Sequence, residues 1–224
     1  METTPQPAPV GFWGNVPTGV KVGLVVGVTV LTFGGIGWYF YRRKQKQERA
    51  DKILRGAVVE GSLANIISKI YEAIDGGGTK ESLLYEAFFD IPTRADFQRV
   101  AVLYQQAYDQ SLEEDLRGDV EGEERQTITN IISSKPADKH GKPSYQLLPD
   151  WLRRLREAKS WLNTDEDKIY RVLWEIPDFI GAAMLSKAIA NDTQIDYDSL
   201  TDYLKGQLDT DELEEARRIL SKKK

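Results

Sequence analysis

Gly76, Gly77 and Gly78, followed by Thr79, are the residues of this chain whose types and spacing come closest to a binding site. Three glycines in a row permit positive φ and leave their carbonyl oxygens unshielded by side chains. Calcium takes six to eight oxygen ligands, and backbone carbonyls with one bidentate carboxylate suit it. Taken alone, the segment reads first as a glycine-rich cap between two helices. Other chemistry is thinly supplied. The chain has no cysteine, which excludes disulfides, thiol nucleophiles and Cys-based metal sites. Its single histidine, His140, lies in the polar stretch Lys139-His140-Gly141-Lys142, a poor setting for a general base. Carboxylates cluster at Glu113/Glu114/Asp115, Glu123/Glu124 and Asp165/Glu166/Asp167. Such pairs can run glycoside hydrolysis, but in an acidic helical protein they are ordinarily solvated helix faces. The glycines do not precede the lysine of a phosphate-binding loop. No catalytic constellation emerges, and the chain reads as a non-enzyme.

The elements that would carry these residues follow from charge and hydropathy. Residues 1–41 hold one acid and one base; residues 42–56 hold seven bases against two acids; residues 57–224 hold 22 bases against 32 acids. An acidic body of this kind argues against nucleic acid as a partner, since that binding needs a basic surface. Residues 22–41 contain no charge, and twenty helical residues span roughly 30 Å, the thickness of a bilayer core. Trp38, Tyr39 and Tyr41 close the run and Arg42, Arg43 and Lys44 follow it, an order opposite to that of a cleaved signal. The predicted organisation is therefore a flexible segment at 1–18, a single transmembrane helix at 19–41 and a basic juxtamembrane linker at 42–58. The charge bias predicts an N-terminus outside and a cytoplasmic C-terminal domain. Gly19, Gly23 and Gly27 line one face of the span, which favours homo-oligomer formation in the membrane.

Beyond the collar the apolar period is helical throughout, so the body is predicted to be all-α. Leu63, Ile66, Ile67, Ile70, Tyr71 and Ile74 form one stripe, and Val100, Leu103, Tyr104, Ala107 and Tyr108 another. Trp151, Leu155, Ala158 and Leu162 form a third, and Trp151, Trp161 and Trp174 fall on apolar faces. The chain also matches itself. Residues 79–92 align with 164–177 at an offset of 85, sharing threonine, glutamate, tyrosine and the closing Ile-Pro; residues 116–120 align with 204–208 at 88. Thr79 and Thr164 are predicted N-caps, and Pro92 and Pro177 predicted helix stops. The proline- and glycine-bearing stretch 134–148 reads as the connector between units at 59–133 and 149–224. The C-terminal lysines 222–224 read as complements to the negative end of the last helix.

With these segments in hand, residues 59–133 resemble an annexin repeat, and 149–224 resemble a second, degenerate one. The resemblance rests on Gly76-Gly77-Gly78-Thr79 with Glu81, and on the segment 112–122 with Asp119 at the family's carboxylate position. It implies two repeats of five short helices each. It also implies one calcium ion, held by the carbonyls of Ile74, Gly76 and Gly78 and by the Asp119 carboxylate, with open positions for water or a lipid phosphate oxygen. Lys80 departs from the family pattern, standing where an aspartate is usual. The second repeat, with Trp161-Leu162-Asn163-Thr164 and Gln207 at the matching places, lacks the glycines and the acid.

The expected function is to bind or organise a membrane surface, with the lipid bilayer and anionic phospholipid headgroups as partners and calcium as modulator. The tether makes a single weak site sufficient. The alternative is a structural or scaffold subunit of a membrane-associated assembly, including a viral internal membrane, whose helices serve protein–protein contacts.

Overall fold

The computed structural model describes residues 44–54, 61–75, 79–120, 122–159 and 164–223, and every regular element among them is an α-helix. The expected span at 19–41, with Gly19, Gly23 and Gly27, lies outside the described residues, as do Gly76, Gly78 and Trp161. Among the described residues no helix is long and apolar enough to cross a membrane.

Within the stretch read as a linker, residues 44–54 form a helix, α1, and Ala50 and Leu54, one turn apart, are buried in the core. The first five-helix unit follows: α2 (Gly61–Ile74), α3 (Glu81–Asp90), α4 (Arg94–Tyr108), α5 (Leu112–Asp119) and α6 (Gly122–Ser134). The second comprises α7 (Leu148–Ala158), α8 (Glu166–Glu175), α9 (Phe179–Ala190), α10 (Leu200–Gln207) and α11 (Thr210–Ser221). The two units keep the internal match helix by helix. α3 and α8 begin 85 residues apart, as do α4 and α9, whereas α5 and α10, and α6 and α11, begin 88 apart. The three extra residues therefore sit between α9 and α10.

The apolar stripes of α2, α4 and α7 face inward: Leu63, Ile66, Ile67, Ile70, Tyr71 and Ile74 are all buried, as are Val100, Tyr104, Trp151 and Leu155. Burying such a stripe, at about 25 cal/mol per Å² of apolar surface, is what holds short helices that would be marginal alone. Local chemistry sets the boundaries. Thr93 and Asp178 cap α4 and α9, Ser111 and Ser199 cap α5 and α10, and Asp209 caps α11 in a reciprocal box with Glu212. Ile91 and Ile176, each before a proline, end α3 and α8 in nearly identical extended conformations, φ −66°, ψ 121° and φ −63°, ψ 120°.

Two sequence readings need correction. Thr79 and Thr164 are not N-caps: α3 starts after Lys80, which makes no side-chain cap, and Asp165 caps α8 by accepting from the Lys168 N–H at 2.9 Å. Both threonines lie one residue too early and turn their hydroxyls elsewhere, as described below. The C-terminal lysines also do more than answer a helix dipole. Lys222 pairs with Glu86 of α3 at 3.1 Å, and Lys223 is buried between the units.

The units pack through α3, α6, α8 and α11. The Phe89 and Trp174 rings, equivalent by the repeat, meet at 6.0 Å between centroids. Around them Lys135 donates to the Phe89 carbonyl at 2.6 Å and Lys223, its counterpart 88 residues on, to the Trp174 carbonyl at 3.3 Å. Arg218 on α11 bonds Glu86 at 2.9 Å, and Arg171 on α8 bonds Glu123 at 2.5 Å.

Candidate functional site

The turn between α2 and α3 is closed at both of its described ends. Asp75 N–H donates to the Tyr71 carbonyl at 2.8 Å, and Lys80 N–H returns to the Ala73 carbonyl at 2.9 Å. The second unit repeats the return, Asp165 N–H to the Ala158 carbonyl at 3.2 Å. Ile74, the first expected ligand, ends α2 and is buried. Asp119, the last, is the exposed final residue of α5.

The fold brings these two segments together. Thr79 Oγ1 donates to the Asp119 carbonyl at 2.6 Å, across forty residues of sequence. In the second unit Thr164 Oγ1 donates to Gln207 Oε1 at 3.3 Å, so each threonine ties its inter-helix turn to the end of the fourth helix. Lys80, which would set a positive charge beside an ion, instead reaches Glu72 on α2 at 3.0 Å. A carboxylate at Asp119 faces the negative end of its own helix, a setting in which a cation is favourable. The chemistry fits an oxygen-ligated cation to this extent: Asp119 offers one exposed carboxylate at the end of α5, and Thr79, directly after the glycines in sequence, bonds the backbone carbonyl of that same residue. Ile74, Gly76, Gly78 and Asp119 would hold calcium, which would supply a Lewis-acidic contact for a phosphate oxygen. Among the described residues no cluster of three or more His, Asp or Glu side chains suits a metal.

Two polar residues around these turns, Arg125 and Tyr197, were not singled out from the sequence, and Asp115 and Gln207 gain partners there that the sequence did not show. Arg125 on α6 donates to the Val120 carbonyl at 2.7 Å and to the Arg117 carbonyl at 3.3 Å, closing the end of α5. Asp115 has its carboxyl pushed up by burial; a hydrogen bond from the Tyr104 hydroxyl at 2.7 Å works against that, and the nearby Asp119 charge adds to it. At Gln207 the amide donates to the Tyr197 hydroxyl at 2.9 Å, and Tyr197 lies in the longer connection between α9 and α10. A Cβ on Gly206 would fall on the Tyr197 ring, whereas one on its counterpart Gly118 would meet open space.

A second polar site lies between the units. Glu175 on α8 is wholly buried, accepting from Trp151 Nε1 at 3.0 Å and pairing with Arg154. Burial pushes its carboxyl up, while the Arg154 charge and the hydrogen bonds hold it down. A cleft of about 380 Å³ opens beside it, lined by Glu123, Asn130, Asp150, Arg153 and Arg171 among others. Its charges are matched within the protein: Arg153 pairs with Asp150 and Glu157, and Arg171 with Glu123. The one sequence signal for Glu175 was its place directly after Trp174 on an apolar face. His140 is exposed in the connector turn, where its backbone N–H donates to Asp138 Oδ1 at 2.8 Å.

No family model matches the chain and no curated protein matches it, so its chemistry is read from its own residues.

Proposed function

We propose that this is a membrane-anchored helical protein that binds or organises a bilayer surface, with calcium modulating phospholipid contact through the annexin-like first unit. The observation that carries the reading is the Thr79–Asp119 hydrogen bond, in which the hydroxyl directly after the glycines donates to the Asp119 backbone carbonyl and so brings the two expected ligand segments near each other. The pairing of Lys80 with Glu72 supports it by drawing the one discordant cation aside. The uncharged run at 22–41 and the basic residues after it supply the anchor, and tethering lets a single weak site act where a free protein would need several. Equilibrium ⁴⁵Ca binding to the full chain in phosphatidylserine-containing nanodiscs tests it. One ion per chain, lost in Asp119→Ala, is the expected result; absence of binding at millimolar calcium, or binding indifferent to the substitution, refutes it.

The scaffold reading draws support from a different observation. At the second unit's matching position Gln207 is committed to Thr164 and Tyr197, a closed polar cluster suited to rigidity. A protein in which that unit is a platform for partners would show assembly contacts mapped to α7–α11 by crosslinking, independent of calcium.

A further inference from the structure

All four large apolar side chains that remain strongly exposed among the described residues lie on two helices related by the repeat. Phe179 (69% exposed), Ile180 (59%) and Met184 (39%) are on α9, and Val102 (57%) is on α4. The repeat supplies an internal control. At the positions 85 residues earlier, Phe179, Ile180 and Met184 correspond to Arg94, Ala95 and Arg99. The five-helix unit thus folds with charged or small side chains there, and packing does not explain the large apolar ones. Residues retained against solvent without a packing role mark a contact surface.

The charges around the patch say what it contacts. The connector begins at the start of α4, where the Arg94 and Ala95 N–H groups donate to the Pro136 and Ala137 carbonyls at 2.9 and 3.1 Å. It ends at the start of α9, where the Tyr145 hydroxyl donates to Asp178 at 2.7 Å. Lys139 and Lys142, both exposed, lie on the turn between. Arg94 and Arg99 on α4 and Lys187 on α9 are also exposed. The acids of these segments are engaged: Asp96 with Thr93 and Arg99, Asp138 with the N–H groups of its own turn, and Asp178 in capping α9 and holding Tyr145. α9 itself contains no acid. A basic rim around an apolar wedge, on a body otherwise strongly acidic, is complementary to anionic headgroups over acyl chains. A second copy is a poorer fit. It would bring basic rim against basic rim, with like charges opposed around the apolar contact.

We propose that the face formed by the start of α9, the connector turn and the start of α4 is a calcium-independent docking site for an anionic lipid bilayer. It does not rest on the calcium reading. α3 runs from the Thr79 end to the Thr93 end, so the two sites lie at opposite ends of a ten-residue helix, roughly 15 Å apart along its axis. Phe179 and Ile180 enter the acyl boundary while Arg94, Lys139, Lys142 and Lys187 meet the headgroups.

The absence of cysteine allows clean single-site labelling. The full chain carrying Met184→Cys with an NBD fluorophore is held in phosphatidylcholine nanodiscs, and vesicles of phosphatidylcholine with or without 30 mol% (about a third) phosphatidylserine are added in EGTA. A parallel set places the same lipid in the nanodisc. A blue shift with phosphatidylserine in either arm, quenched by doxyl-lipid and absent in pure phosphatidylcholine, supports the proposal. The triple variant Arg94→Gln/Lys139→Gln/Lys142→Gln should then partition about a hundredfold more weakly, at roughly fivefold per basic residue. No shift in either arm, an equal shift in pure phosphatidylcholine, or a shift that depends on protein concentration without added vesicles overturns it, the last pointing to a second copy. Arg117→Cys, labelled likewise, reports the glycine-turn end. Its calcium-dependent response separates failure of this face from failure of the calcium site.

Discussion

Lys135 and Lys223 are the most direct test of the way the two units are joined. Each is buried, each donates to the carbonyl of an aromatic residue near the end of its unit's second helix, and both lie over the Phe89 ring, Lys223 at 3.8 Å and Lys135 at 4.9 Å from its centroid. Burial brings the Lys135 ammonium down from its ordinary 10.5 to about 8, with Asp90 opposing. Burial lowers Lys223 too, and the Lys135 charge lowers it further. Because the folded pKa lies below the unfolded one, the unfolded chain holds more protons between pH 8 and 10.5, and stability rises with pH across that window. For Lys135 alone, moving from pH 7.5 to 9.5 should add roughly 2 kcal/mol, and Lys223 adds in the same direction. The gain must be read below pH 10, because tyrosines such as Tyr108 and Tyr145, raised by burial to about 12, stay protonated when folded and reverse the slope above it. Denaturant midpoints of the full chain in mild detergent, followed by fluorescence of the buried Trp151 and Trp174, give the measurement. In Lys135→Met/Lys223→Met the rise should vanish. The Phe89 and Trp174 carbonyls then lose their donors, at about 1–3 kcal/mol each if left dry, so the slope and not the absolute midpoint is diagnostic. A wild-type midpoint that is flat or falls from pH 7.5 to 9.5 refutes the assignment.

Three further outcomes follow from named contacts. Glu175→Leu, which strips a buried carboxylate from Arg154 and Trp151, should cost about 3–5 kcal/mol of unfolding free energy by denaturant titration. Gly206→Ala should lose about 1–3 kcal/mol because the new methyl meets Tyr197. Its counterpart Gly118→Ala, with open space, should gain about 0.5–1 kcal/mol from helix propensity; equal effects at the two sites would deny the close approach of Tyr197. Thr79→Val removes the hydroxyl that ties the glycine turn to Asp119. It should cost about 1 kcal/mol in stability and weaken calcium binding in the ⁴⁵Ca assay, whereas Thr79→Ser should retain both.

Periodicity and self-similarity made the helices and their duplication legible because both depend on local rules: an apolar stripe, a capping side chain, a proline stop. Long-range effects were not legible. α1 looked like a basic collar because Lys44, Lys46, Arg49 and Lys52 dominate it, and only Ala50 and Leu54 carry its packing. Lys223 read only as a complement to a helix end and Glu175 drew no reading, since nothing in a single helix tells which charge will be trapped when two units close on each other. The threonines were recognised as special for the wrong reason. A cap is a contact one turn away, and the contact that Thr79 makes is forty residues away. That the Thr79 and Asp119 segments meet followed from the family resemblance rather than from any local rule, and Arg125 closing the end of α5 had no signal at all.

The duplication turns one chain into its own comparison. Where both units agree, as at Ile91 and Ile176 before proline or at the threonines that reach the fourth helix, the agreement marks what the five-helix unit needs in order to fold. Where they differ without a packing reason, the difference calls for something outside the unit. Asp119 faces Gln207 across the repeat, and the second unit fills the position with Tyr197, so an acid there is not a folding requirement. Arg99 corresponds to Met184, and Arg94 to Phe179, so an apolar surface there is not one either. The two departures lie at opposite ends of the second helices and in different units. Divergence that served folding alone would have no cause to leave an acid exposed at one end and a bare apolar wedge at the other. Two ends with distinct chemistries fit the proposal that the protein holds a membrane by more than one contact.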